Sequence, residues 1–147
     1  MPTDADGVTT ITSQEVQERF KDWVDGCYCG WGVGPGWQEL LYTLCKHIED
    51  TLNRYGVPKD MFVVAQVKEK FGGLRFYYEW KATDDVTMQN RIGLANEDVK
   101  EWTRSAEQKA DATCEVCGKP GKLIRTGWWK VRCQECDETN KRTWSKQ

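Results

Sequence analysis

Cys114-Glu115-Val116-Cys117 and Cys133-Gln134-Glu135-Cys136 set four thiols in a C-x2-C-x15-C-x2-C pattern. A C-x2-C turn brings two thiolates to one point, and two such turns supply the corners of a tetrahedron, the geometry Zn(II) takes. Four thiolates leave no open coordination position, so a zinc ion at Cys114, Cys117, Cys133 and Cys136 is expected to be structural. Gly118 follows the first pair, where such a turn often needs positive φ. Two chance pairs of reduced thiols would be the plainer explanation, but they would leave a Gly- and Lys-rich segment with little core. A second set, Cys27 and Cys29 with Cys45 and His47, is weaker. On a 3.6-residue helix Cys45 and His47 stand about 200° apart, and Cys45 falls beside an apolar stripe, where it reads as a small core residue. Whether these four form a second metal site stays open.

Charge and aromatic rings cluster twice. In Gln66–Tyr77, Lys68, Lys70 and Arg75 gather around Gly72-Gly73, with Phe71, Phe76 and Tyr77 beside them. Such a cradle suits a phosphate or a nucleobase. The plainer reading is a hairpin whose turn needs glycine and whose strands are aromatic. Between the cysteine pairs lie Lys122, Arg125, Trp128, Trp129, Lys130 and Arg132, a mixture that suits base stacking with phosphate contact. Against that, at least one of Trp128 and Trp129 is expected to pack the ribbon onto the rest of the chain. His47 is the single histidine, and no serine-hydrolase elbow, nucleotide-cradling Walker loop, zinc-protease helix or paired-carboxylate motif is present. No catalytic set is expected, and the chain reads as a non-enzyme.

The elements that must position these residues follow from periodicity. Ser13 reads as an N-cap for a short helix carrying Val16, Phe20, Trp23 and Val24 on one face. Residues 27–36 are too glycine-rich for helix or regular strand and read as loop. Leu40, Leu41, Leu44, Ile48 and Leu52 recur at helical spacing, predicting a helix over 37–52 that ends near Gly56. Met61–Val67 and Leu74–Trp80 read as the two arms of an antiparallel hairpin, and Val86–Ala110 as a long polar helix with a stripe of Ile92, Ala95, Val99, Trp102 and Ala106. The expected class is α+β: N-terminal helices, an antiparallel β-hairpin, a long helix and a C-terminal zinc ribbon. The expected division is a flexible tail at 1–12, an α+β core over 13–111, and the ribbon with its tail over 112–147.

The chain has 147 residues, eight of them Trp and seven Cys, with a formal net charge of -2. That length can bury a real core, and the charge excludes a protein that coats nucleic acid by basicity alone. Charge is nonetheless uneven: residues 1–60 carry 5 basic and 10 acidic side chains, and residues 114–147 carry 8 basic and 4 acidic. An anionic partner therefore belongs to the C-terminal half. No apolar run approaches the length of a membrane span, and the polar N-terminus does not read as a secretory signal, which agrees with reduced cysteines.

The string Gln66–Tyr77, followed by a helix leading into Thr113–Gly121 and then Gly127-Trp128-Trp129, is similar to a family of small proteins encoded by bacteriophages and mobile elements, in which the lysine–phenylalanine–glycine–glycine–leucine–arginine motif recurs. Cys29-Gly30 and Trp37 before the leucine-rich helix also look like that family. The resemblance covers roughly residues 27–136. It departs at Trp31–Pro35, which looks inserted, so nothing about that loop carries over. The resemblance implies a phage context, hence the cytoplasm of an infected bacterial host, more than a mechanism. Some phage proteins are sponges that sequester nucleotide immune signals. By that analogy the expected function is counter-defence: a small anionic ligand, a cyclic nucleotide for instance, is held by Lys68, Lys70, Arg75, Phe76, Tyr77, Trp128, Trp129 and Arg132. The alternative is a zinc-ribbon adaptor for nucleic acid or a host protein, and the acidic first half counts against a large basic face. A hydrolase using Cys29 or Glu69 is a third reading. A homo-oligomer is left open.

Overall fold

The structure is a computed structural model, and it describes residues 11–24 and 31–138. Its order is α1 (Ser13–Arg19), α2 (Lys21–Val24), β1 (Trp31–Gly32), α3 (Gln38–Tyr55), β2 (Phe62–Lys70), β3 (Gly73–Trp80), α4 (Val86–Ala110), β4 (Lys122–Ile124) and β5 (Lys130–Arg132). The chain is mixed α+β: helices pack on a three-stranded sheet, and a two-stranded sheet carries the C-terminal cysteines.

Helix α1 begins one residue earlier than its sequence suggests. Thr12, not Ser13, is the N-cap, and it forms a reciprocal capping box with Glu15. Ile11 is buried with the core. The chain bends at Phe20 into α2, which lets Phe20 and Trp23 stack at 5.4 Å and Trp23 meet Phe62 edge-on at 5.2 Å. A tight turn over Pro35–Trp37 feeds α3, whose Leu41, Leu44, Cys45, Ile48 and Leu52 are buried; Leu40 is only half-buried. Gly56 ends the helix in the left-handed region at φ 68, and Val57 folds back to donate to Leu52 O and enter the core.

Strands β2 and β3 pair antiparallel from Phe62↔Trp80 to Lys70↔Gly73, with a bulge between Val64 and Gln66. The bulge matters for side-chain phase. It lets Phe62 and Val64 before it and Val67 after it all face the core, opposite Trp80, Tyr78 and Phe76. The other face carries Gln66, Lys68 and Lys70 opposite Tyr77, Arg75 and Gly73. The glycine-rich loop also contributes a strand: β1 pairs parallel to β2 through Trp31↔Val67 and Gly32↔Lys68.

Helix α4 lies along β3 and α3. The Glu107 carboxylate accepts from Phe76 N at 3.2 Å, satisfying a donor of β3, and Asn96 Oδ1 accepts from Tyr78 OH and Trp80 Nε1. Ala95, Val99, Thr103, Ala106 and Ala110 form its buried stripe, so Trp102 stands outside it, 38% exposed. Glu49 ties α1 to α3 and to the turn before β2. It takes two hydrogen bonds from Arg19, at 3.1 and 2.9 Å, and one from Lys59 at 3.1 Å.

Candidate metal centre and adjoining aromatic groove

The Sγ atoms of Cys114, Cys117, Cys133 and Cys136 lie within 4.8 Å of one another, an arrangement that could hold one metal ion. Each pair is shaped by its own backbone. Gly118 N donates to Cys114 O at 2.9 Å, with Gly118 at φ 83, closing the first turn. In the second, Cys136 N donates to Cys133 Sγ at 3.4 Å. Burial pushes the Cys114 thiol up, but the backbone N–H groups of Cys133, Cys117 and Val116 outweigh it and bring the group down to about 7. Burial and the neighbouring thiols push Cys136 up, and burial raises Cys117. A bound cation would replace these protons and take up the charge of the thiolates.

The glycine-rich loop seats the first turn of this centre. Gly36 N donates to Glu115 O at 2.9 Å, and the buried Trp37 donates from Nε1 to Thr113 O at 2.8 Å. A Cβ on Gly36 would stand 2.0 Å from Cys114 O, and one on Gly34 would stand 2.3 Å from Glu115 O. The close approach of two backbones explains both glycines. From the other side, Glu115 N donates to Val131 O, and Val131 is fully buried with Leu123 packed beside it. Val131 and Leu123 make most of the attachment expected of Trp128 or Trp129, and Trp129 adds an edge-on contact with Phe71 across the seam; the Trp pair sits on the turn between β4 and β5, 65% and 41% exposed.

Next to this seam, Phe71, Arg75 and Glu69 from the β2–β3 end meet Gly127, Trp128 and Trp129 around a groove of about 830 Å³. The two sheets touch tightly beneath it: Gly72, at φ 80, leaves a would-be Cβ only 2.5 Å from Leu123 Cδ1. Phe71 and Trp129 meet edge-on at 6.4 Å, and the Arg125 guanidinium lies 5.4 Å from the Trp129 ring. Lys68 and Arg75 are direct cross-strand neighbours, and Lys68 Nζ sits 5.9 Å from the Tyr77 ring. Arg75 Nη1 bends over Gly73 toward the turn, within 3.2 Å of where a Cβ would be. Glu69 Oε1 accepts from Gly72 N at 2.9 Å and so holds the turn.

Six of the eight expected ligand residues are brought to this side: Lys68, Lys70, Arg75, Tyr77, Trp128 and Trp129. Two are not. Phe76, 4% exposed, faces the opposite side of the sheet and belongs to the core. Arg132, also 4% exposed, lies under the ribbon in an ion pair with Glu115 at 3.5 Å. Phe71 joins the groove instead, which its place beside two glycines had already suggested. Of the weaker metal set, Cys27 and Cys29 lie outside the described residues. Cys45 is a core residue whose thiol burial pushes far up, and His47 stacks flat on Trp102 at 3.9 Å beside a cleft of about 400 Å³ between α3 and α4. Among the described residues the four C-terminal cysteines are the one cluster fit for a metal, and no helix is long and apolar enough to cross a membrane. No protein-family model, curated protein or solved structure matches the chain.

Proposed function

We propose that this protein is a zinc-stapled, non-catalytic binding module whose groove takes an anionic nucleotide-type ligand. One observation carries the reading. Phe71, Tyr77, Trp128 and Trp129 are 70%, 42%, 65% and 41% exposed, and all four stand among Lys68, Lys70, Arg75 and Arg125. Each ring keeps 41% or more of its surface in water, which is costly for an apolar group, and rings interleaved with cations offer stacking and phosphate contact together. Zinc is the ion the donor set favours. A tetrahedron of ~2.3 Å Zn–S bonds has edges of ~3.8 Å, and Cys117 and Cys133 stand 3.7 Å apart. The phage-type resemblance adds sequestration of a nucleotide immune signal as the use of such a groove.

Calorimetry of the purified, zinc-loaded protein with mononucleotides and with cyclic di- and trinucleotides tests the reading. Binding is expected, and mass spectrometry should recover the ligand unaltered. Arg75→Ala should cost about 10- to 150-fold in affinity, the loss of one charge-assisted hydrogen bond of roughly 1.5–3 kcal/mol. A product of changed mass would make the protein an enzyme. No binding at all would remove the nucleotide reading.

A further inference from the structure

Phe71 holds a conformation that its side chain does not favour. Its φ is 53, and it is the single non-glycine residue with positive φ among those described. The two-residue turn of the hairpin requires left-handed backbone at both central positions, where asparagine, aspartate or glycine sit without strain. A phenylalanine there costs stability through the backbone, and at 70% exposure it costs again through apolar surface left in water. Its ring touches the protein through the edge of Trp129 and, at 5.8 Å, Lys70 Nζ. The turn positions this ring outward, at the mouth of the groove.

The rings form two stations. Phe71, Trp128 and Trp129 make the first, around the hairpin tip; Tyr77 makes the second, on the outer sheet face. Between them lie the cross-strand pair Lys68 and Arg75 and, nearer the tip, Lys70. Beyond Tyr77 the next outer-face residue of β3 is Glu79, which ends the cationic stretch. From Tyr77 to Gly73 the strand runs ~13 Å, four residues at ~3.3 Å each. At the ~3.4 Å rise of stacked bases, that distance takes about four nucleotides. One base and its phosphate fill a single station; a strand fills both, with its phosphates along the cations between.

We infer that the outer face of β2–β3, continued over the hairpin tip onto Trp128 and Trp129, is a track for an unpaired nucleic-acid strand of about four nucleotides. The inference rests on the nucleotide reading above and names its polymeric form. The track is open along its length, as a strand requires, and it reads ring faces and phosphates, so weak sequence preference is expected.

The test is tryptophan fluorescence titration of the zinc-loaded protein with dT1 through dT8, the matching uridine series, a duplex of the same length and a cyclic dinucleotide. Affinity should rise with strand length to about four nucleotides and then level, and the duplex should bind more weakly than the single strand. The deoxythymidine and uridine arms show whether DNA or RNA is preferred. Log affinity should fall against log salt with a slope near about -2, as for three phosphates at ~0.7 each. Phe71→Asn, which suits a left-handed turn, and Tyr77→Thr, which keeps a β-favouring residue, should each fold and each weaken the four-nucleotide strand by about 5- to 150-fold, the loss of one stacked base. If the cyclic dinucleotide binds as tightly as the longest strand and length has no effect, the track is refuted and the nucleotide groove stands. If neither strands nor small nucleotides bind, both readings fall.

Discussion

Gly36→Ala should destabilise the whole protein, although it adds one methyl group to a surface loop. The added Cβ would lie 2.0 Å from Cys114 O, 2.7 Å from Glu115 C and 2.7 Å from Gly118 N. All three are backbone atoms, and they belong to the turn that carries two of the four clustered cysteines. No side chain can swing aside, so the loop must lift from that turn. Lifting breaks the 2.9 Å hydrogen bond from Gly36 N to Glu115 O and loosens the one from Trp37 Nε1 to Thr113 O, each worth about 1 kcal/mol. Crowding of closely packed groups adds about 1–3 kcal/mol. The total of about 3–5 kcal/mol corresponds to a fall of roughly 6–20 °C in Tm for a chain of this size. Gly32→Ala is the control, because nothing lies within 4 Å of its Cβ position, and it should shift Tm by less than about 2 °C. Thermal melts followed by circular dichroism, with zinc release read by a chromogenic chelator, measure both variants. In Gly36→Ala, zinc should leave at the same lowered temperature. If that variant melts with the wild type, the loop is not the seat of the metal centre.

Glu49 makes a pH-dependent contribution. Hydrogen bonds from Arg19, with help from Lys59, hold its carboxyl down at about 2, against an ordinary 4.5. Its stabilisation is therefore complete above about pH 5 and is lost as pH falls toward 2. Urea melts should find Glu49→Gln weaker than wild type by about 2–3 kcal/mol at pH 7, with the gap closing near pH 2; an unchanged gap would contradict the assignment. Elemental analysis should find one zinc per chain, and chelation or Cys114→Ser should unfold residues 112–138 before the helices, as hydrogen exchange would show. Phe71→Asn should raise Tm by about 2–4 °C through relief of ~1 kcal/mol of backbone strain, and a fall of several degrees would show the ring to be structural.

Much of this was legible because it is local. The spacing of Cys114, Cys117, Cys133 and Cys136 points to a four-thiol cluster that could hold a metal without any tertiary information, since each pair is closed by its own turn. The helical recurrence of Leu41, Leu44, Ile48 and Leu52 likewise states which face of α3 is buried, because the helix repeat acts within one element. The glycines after Phe71 announce a turn for the same reason.

What tertiary structure decided lies between distant segments. Phe76, Tyr77 and Tyr78 are three aromatic residues in a row, and strand alternation alone does not say which of them faces inward. β3 alternates without a break, and its packing sets the phase: Phe76 and Tyr78 lie opposite Val67 and Val64 on the core face and Tyr77 opposite Gln66, with the bulge after Val64 keeping β2 in step. Arg132 reads as one more surface cation until Glu115 is placed beside it across the ribbon. Two residues, Trp31 and Gly32, are too few to show a strand pattern, and their partners Val67 and Lys68 lie 36 positions away. Gly34 and Gly36 look like loop punctuation in the sequence. Only the approach of the Cys114–Glu115 backbone shows that they are the seat of the four-cysteine cluster, because the absence of a side chain has meaning only once something occupies the space.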